Sequence, residues 1–69
     1  MTRPALTGTV VAFDERRGLG EIESDRERYP FHCTAIAGGS RSIAVGAAVE
    51  FVVVPGPGGR WEAGAIEPR

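Results

Sequence analysis

Ala48-Val49-Glu50-Phe51-Val52-Val53-Val54, then Pro55-Gly56-Pro57-Gly58-Gly59, then Arg60-Trp61-Glu62-Ala63-Gly64-Ala65-Ile66-Glu67, is the stretch that decides the fold. Its first part is rich in β-branched and aromatic residues. Val49, Phe51 and Val53 recur at every second position, the period of a strand with one buried face. The prolines and glycines that follow admit only a turn. Residues 60–67 then read as a second strand, ended by Pro68. Strand, tight turn and strand make a hairpin, the mark of a β protein.

The same punctuation recurs toward the N-terminus. Residues 6–13 carry Val10, Val11 and Phe13 after Gly8 and read as a strand, and Asp14-Glu15-Arg16-Arg17-Gly18 is a polar turn. Residues 18–23 form a glycine-rich strand and residues 24–27 a charged turn. In a third strand, residues 28–33, alternation sets Tyr29 and Phe31 on the core face and Arg28, Pro30 and His32 on the other. A proline there implies an edge or a bulge. Thr34-Ala35-Ile36 suffices for one 3₁₀ turn. A loop through Gly38-Gly39-Ser40-Arg41-Ser42 follows, with Ile43 as a core anchor. Five short strands without a helical period predict an all-β architecture, a small barrel. Residues 1–5 read as a short tail and residues 6–69 as one domain.

A chain of 69 residues buries only a small core. One cysteine, Cys33, forms no internal disulfide, and one histidine beside it falls short of a four-ligand metal site. Adjacent strand residues also point apart. No metal or other cofactor is therefore expected. There is no apolar run long enough for a membrane span, and Met1-Thr2-Arg3-Pro4 lacks a signal-peptide pattern, so a cytoplasmic location with no membrane partner is expected. The net charge of −1 gives no overall attraction to polyanions, so a nucleic-acid role needs a local basic patch. Every basic residue is arginine, a bias that fits a GC-rich bacterial genome, and the chain has no Asn or Gln. It thereby lacks the usual bidentate readers of adenine.

In order and spacing, several segments resemble the bacterial cold-shock domain family. They are Gly8-Thr9-Val10, Arg17-Gly18-Leu19-Gly20-Glu21-Ile22 at the first ribonucleoprotein motif, and Phe31-His32-Cys33-Thr34-Ala35-Ile36 at the second. Gly46-Ala47-Ala48-Val49-Glu50-Phe51 and Ala63-Gly64-Ala65-Ile66-Glu67-Pro68 complete the likeness, which spans residues 6–68. The resemblance implies a five-stranded antiparallel Greek-key β-barrel of the OB-fold type. It also implies binding of single-stranded RNA or DNA on an open sheet face, with aromatics stacked on bases and basic residues near phosphates.

The binding positions depart from that pattern. Ala12 stands where the family has an exposed tryptophan, and Val11 where lysine is usual. Leu19 and Glu21 replace the phenylalanines of the first motif, and Pro30 and Cys33 those of the second. Stacking is worth about 1–3 kcal/mol per base, so the loss of three platforms weakens binding by orders of magnitude. Glu21 adds repulsion toward phosphate.

What remains is a weak, largely sequence-nonspecific nucleic-acid-binding module. Its candidate residues are Phe13, Leu19, His32 and Trp61 for bases and Arg16, Arg17, Arg41 and Arg60 for phosphates. Each has a plainer reading. His32 is a stacking platform or an ordinary surface histidine. The arginines are a patch or a solvated surface partly cancelled by Asp14, Glu15 and Glu62. Trp61 is a replacement platform, a protein contact, or, the favoured reading, a side chain packed on the turn or barrel end. The alternative function is a protein-protein interaction module or homodimer, using an apolar centre of Val11, Ala12, Leu19 and Pro30. Catalysis lacks a signature: neither Asp14 with Glu15 nor Ser42 with His32 has a spacing that builds a site. A barrel this small is filled by its own side chains, so no small-molecule substrate is expected.

Overall fold

The computed structural model describes residues 5–69, so most of the expected N-terminal tail, residues 1–4, lies outside the described residues. All five expected strands form: β1 (Leu6–Asp14), β2 (Leu19–Ser24), β3 (Glu27–His32), β4 (Ala48–Pro55) and β5 (Trp61–Pro68). Their ends differ from expectation by one residue in several places. Cys33 leaves β3 to begin a 3₁₀ turn, Cys33–Ala35, while Gly18 and Arg60 stay in the adjoining turns.

The strands pair antiparallel in the order β3-β2-β1-β4-β5. β3 packs against β5, and a parallel bridge between Ile36 and Ile66 helps to close the barrel. Pro30 therefore sits on a strand at the end of the ladder, where a missing N–H is tolerated. Between β2 and β3, Ser24 pairs with Glu27 across a two-residue turn whose residues, Asp25 and Arg26, have φ of 50° and 69°.

The core is supplied by alternate positions. Val10, Ile22, Phe31, Val49, Phe51 and Ile66 are fully or almost fully buried, and Tyr29, Ile43 and Val53 pack around them. Each such side chain contributes roughly 1.5–3 kcal/mol by leaving water, which suits a domain with no covalent staple.

A β-bulge at Val11 determines what the outer face presents. Val10 pairs with Ile22, yet Ala12 pairs with Glu21 and Phe13 with Gly20. The extra residue reverses the alternation, turning Ala12 outward and Phe13 toward the core. There the Phe13 ring stacks on Phe31 with centroids 5.9 Å apart and planes 9° from parallel. Gly20 makes room for this pair, because a Cβ at that position would lie 2.5 Å from Phe31 Cζ and 2.7 Å from the Ala12 carbonyl oxygen. A second bulge falls at Ala65, between the pairs Val52 with Gly64 and Glu50 with Glu67. Its φ of 48° marks the extra residue.

Candidate functional site

The outer face of β1, β2 and β3 is built from cross-strand rows. Ala12, Glu21 and Pro30 form one row, Asp14, Leu19 and His32 the next, and Glu23 pairs with Arg28 beyond them. Where a row of aromatics was the family expectation, small or charged side chains stand instead. Arg28 reaches both neighbouring carboxylates, Glu21 at 3.5 Å and Glu23 at 3.7 Å. These pairs are solvent-exposed, so they organise the face more than they stabilise it. The apolar centre expected for protein contact is thus interrupted: Glu21 lies between Ala12 and Pro30, because the bulge brings those three into one row.

Two depressions share this face. A trough of about 620 Å³ is lined by Ala12, Phe13, Leu19, Pro30 and Phe31, with Asp14, Glu21, Arg60 and Glu62 around it. At the end marked by the Leu19–His32 pair lies a second pocket, of about 550 Å³, lined by His32, Arg16, Arg17 and Arg41 together with Cys33 and Thr34. Glu15 is the lining carboxylate of this corner. Arg17 lies 3.9 Å from Asp14, an exposed contact, whereas Arg16 and Arg41 form no ion pair among the described residues. The basic patch absent from the total charge is therefore assembled locally, by a turn and a loop distant in sequence.

Asp14 shapes that corner. Its Oδ1 accepts from the N–H groups of Arg16, at 3.0 Å, and Arg17, at 3.3 Å, while Gly18 N–H donates to the Asp14 carbonyl at 2.8 Å. The carboxylate fixes the turn that presents the two arginines. Gly18, with φ of 66°, is needed there, since a Cβ would come 2.8 Å from Cys33 Sγ. The Gly18 carbonyl accepts from Cys33 N–H at 2.7 Å, tying the turn to the end of β3.

His32 has a partner that its exposed strand position does not advertise. Its Nδ1 accepts from the Thr34 N–H at 3.2 Å and lies 2.9 Å from Thr34 Oγ1, so the ring caps the 3₁₀ turn. An accepting Nδ1 places the proton of the neutral ring on Nε2, which faces the Gly18 side of the corner as a donor.

The expected site residues therefore divide into groups. Phe13, Leu19 and Arg60 line the trough; Arg16, Arg17, His32 and Arg41 line the corner. Phe13 is half-buried against Phe31, so only part of its ring can meet a ligand. Trp61 joins neither depression. Extended backbone through residues 60–62 directs Arg60 and Glu62 toward the trough and Trp61 to the opposite side. Packing of Trp61 on the turn or barrel end was expected, but the side chain stands 60% exposed opposite Pro55, because β5 extends past the last core residue, Ala63. Cys33 is partly buried, as expected. Asp14 and Thr34 were not singled out as site residues. Asp14 carried a usable signal, an aspartate opening a turn that ends in glycine; the histidine cap carried none.

Compared with known proteins, the sequence matches the family described as "'Cold-shock' DNA-binding domain" over residues 6–67. No significant match occurs among curated proteins. The fold is similar to the solved structure "drosophila Unr CSD456", with a TM-score of 0.79 at 28% sequence identity. That alignment covers 97% of this chain and 27% of the other, so this chain spans about a quarter of the length of the chain it matches.

Proposed function

We propose that this chain, which belongs to the "cold-shock" DNA-binding domain family, takes single-stranded RNA or DNA along the outer face of β1, β2 and β3, weakly and with little sequence preference. The observation that carries this reading is the corner where Arg16, Arg17 and Arg41 meet His32 at the end of an apolar trough. Guanidiniums bind phosphate in a bidentate, charge-assisted manner whatever the base. Leu19, Pro30 and the accessible part of Phe13 offer bases a sequence-tolerant apolar bed, poorer than a row of aromatic rings. Weakness and tolerance have one cause: the affinity rests on backbone charge, and the amides that read adenine edges are missing. The module then acts by holding a strand unpaired.

The test is fluorescence anisotropy of an end-labelled oligopyrimidine at low and moderate salt. Saturable binding in the high micromolar range, weakening as salt rises, is expected. No binding at low salt and high micromolar protein counts decisively against the reading. Trp61 emission is an unsuitable reporter, since that ring lies on the other side of the strand from the trough.

One observation favours a second reading, in which the face meets protein. Leu19 is 49% exposed where it lines the trough, an apolar side chain larger than a solvated position calls for. A homodimer that appears in sedimentation at rising concentration and disappears in Leu19→Glu supports it; a monomer throughout removes it.

A further inference from the structure

The basic corner has a composition that an internal stretch of nucleic acid does not require. Arg17 lies 3.9 Å from Asp14, but Arg16 and Arg41 form no ion pair among the described residues, so two guanidiniums and the His32 Nε2–H offer unengaged donors in a pocket of about 550 Å³. An internal phosphodiester carries one negative charge and is flanked by sugar on both sides. A terminal phosphomonoester carries roughly −1.5 to −2 at neutral pH and offers three oxygens. From this match we infer that the corner is an end-binding site, which captures a terminal phosphate of a single strand.

Geometry supports the assignment in three ways. The pocket is walled by the turn after β1, by the end of β3 with its 3₁₀ turn, and by Gly39, Ser40 and Arg41 from the following loop. It is therefore a corner on the margin of the face. Part of its frame is set before a ligand arrives: Asp14 holds the backbone of Arg16 and Arg17, and Thr34 holds the His32 ring with Nε2–H free to donate. Leu19 lines the trough and pairs directly with His32, which lines the corner. A phosphate seated on the arginines thus leaves the first nucleotides to lie over Leu19 and Pro30. A chain that has lost its stacking row gains most from the one point on a strand where negative charge is densest.

This inference rests on the strand-binding reading and narrows it to one class of ligand. The test compares three oligopyrimidines of equal length by anisotropy, bearing a 5′-phosphate, a 3′-phosphate or hydroxyls at both ends, each labelled internally. One phosphorylated strand is expected to bind about tenfold tighter than the hydroxyl-ended strand, the scale of one added charge-assisted contact. Which strand it is sets the polarity. Arg41→Ala and Arg16→Ala should weaken every strand yet abolish the preference, so that within each variant the phosphorylated and hydroxyl-ended strands bind alike; Arg69→Ala should leave both unchanged. Nucleoside monophosphate in excess should remove the preference, bringing the phosphorylated strand to the affinity of the hydroxyl-ended strand in the same solution. Equal affinity for all three strands overturns the end site and leaves strand binding standing, as does a preference that survives Arg41→Ala. Failure of every strand to bind overturns both.

Discussion

Glu21→Phe should convert the outer face from tolerating bases to stacking on them. Glu21 lies between Ala12 and Pro30, two small neighbours that leave space for a ring on the outer surface. The loss is one exposed ion pair, Arg28 to Glu21 at 3.5 Å, with the two side chains 60% and 42% exposed, and Arg28 keeps Glu23 at 3.7 Å. Exposed pairs contribute about 0–1 kcal/mol, so the fold should lose no more than that, and an aromatic side chain suits a strand. The gain is one stacking platform, about 1–3 kcal/mol, together with relief of carboxylate-phosphate repulsion. The dissociation constant for an oligopyrimidine should therefore fall between about fivefold and a hundredfold. Anisotropy titration measures this, with Glu21→Gln as the control that removes charge without adding a ring. Glu21→Gln should recover only the smaller, salt-sensitive part of the gain. A folded Glu21→Phe protein with the affinity of the parent would refute the assignment of this face as the place where bases lie.

Three further outcomes follow from the structure. Gly20→Ala should lower stability by about 1–3 kcal/mol in thermal denaturation, because its Cβ meets Phe31 Cζ at 2.5 Å and the Ala12 carbonyl at 2.7 Å; an unchanged melting temperature would show that the stacked pair has slack. Asp14→Asn and Asp14→Ala should diverge in anisotropy: Asn keeps the acceptor for the Arg16 and Arg17 N–H groups and should tighten strand binding, whereas Ala frees the turn and should weaken it despite removing the same charge. If the two variants bind alike, the turn does not position the arginines. The salt dependence of binding should have a log-log slope of about −2, the value for three phosphate contacts on a single strand; a slope near zero would remove Arg16, Arg17 and Arg41 from the phosphate path.

The frame was far more legible in the sequence than the site. Val49, Phe51 and Val53 alternate cleanly, as do Tyr29 and Phe31, so strand faces could be read from periodicity alone. The bulge at Val11 could not, since Val10-Val11-Ala12-Phe13 contains no polar residue to mark the reversal. Yet that reversal decides which of Ala12 and Phe13 faces outward. The arginine corner was legible as a set of residues but not as a place, because Arg16 and Arg41 meet only after β3 and its turn bring two loops together. The role of His32 as a cap depends on a ring orientation set by Thr34, which residue spacing does not encode. Trp61 shows the opposite failure: the burial expected of a large aromatic was overridden by its location beyond the last core layer.

Asp25 and Arg26 close the β2–β3 hairpin with left-handed backbone at both positions, where glycine, asparagine or aspartate is at ease and a residue such as Arg26 costs about 1–2 kcal/mol. Leu19, Glu21, Pro30 and His32 all ride on that hairpin. Much of the outer face thus belongs to a segment whose opening is cheaper than loss of the whole barrel, and its amides should exchange hydrogen sooner than those of β4 and β5. Two residues at the far tip then act as a timer. Exchanging them for Asn-Gly should lengthen the interval for which the face stays assembled, altering residence time on a strand without touching any residue that meets it.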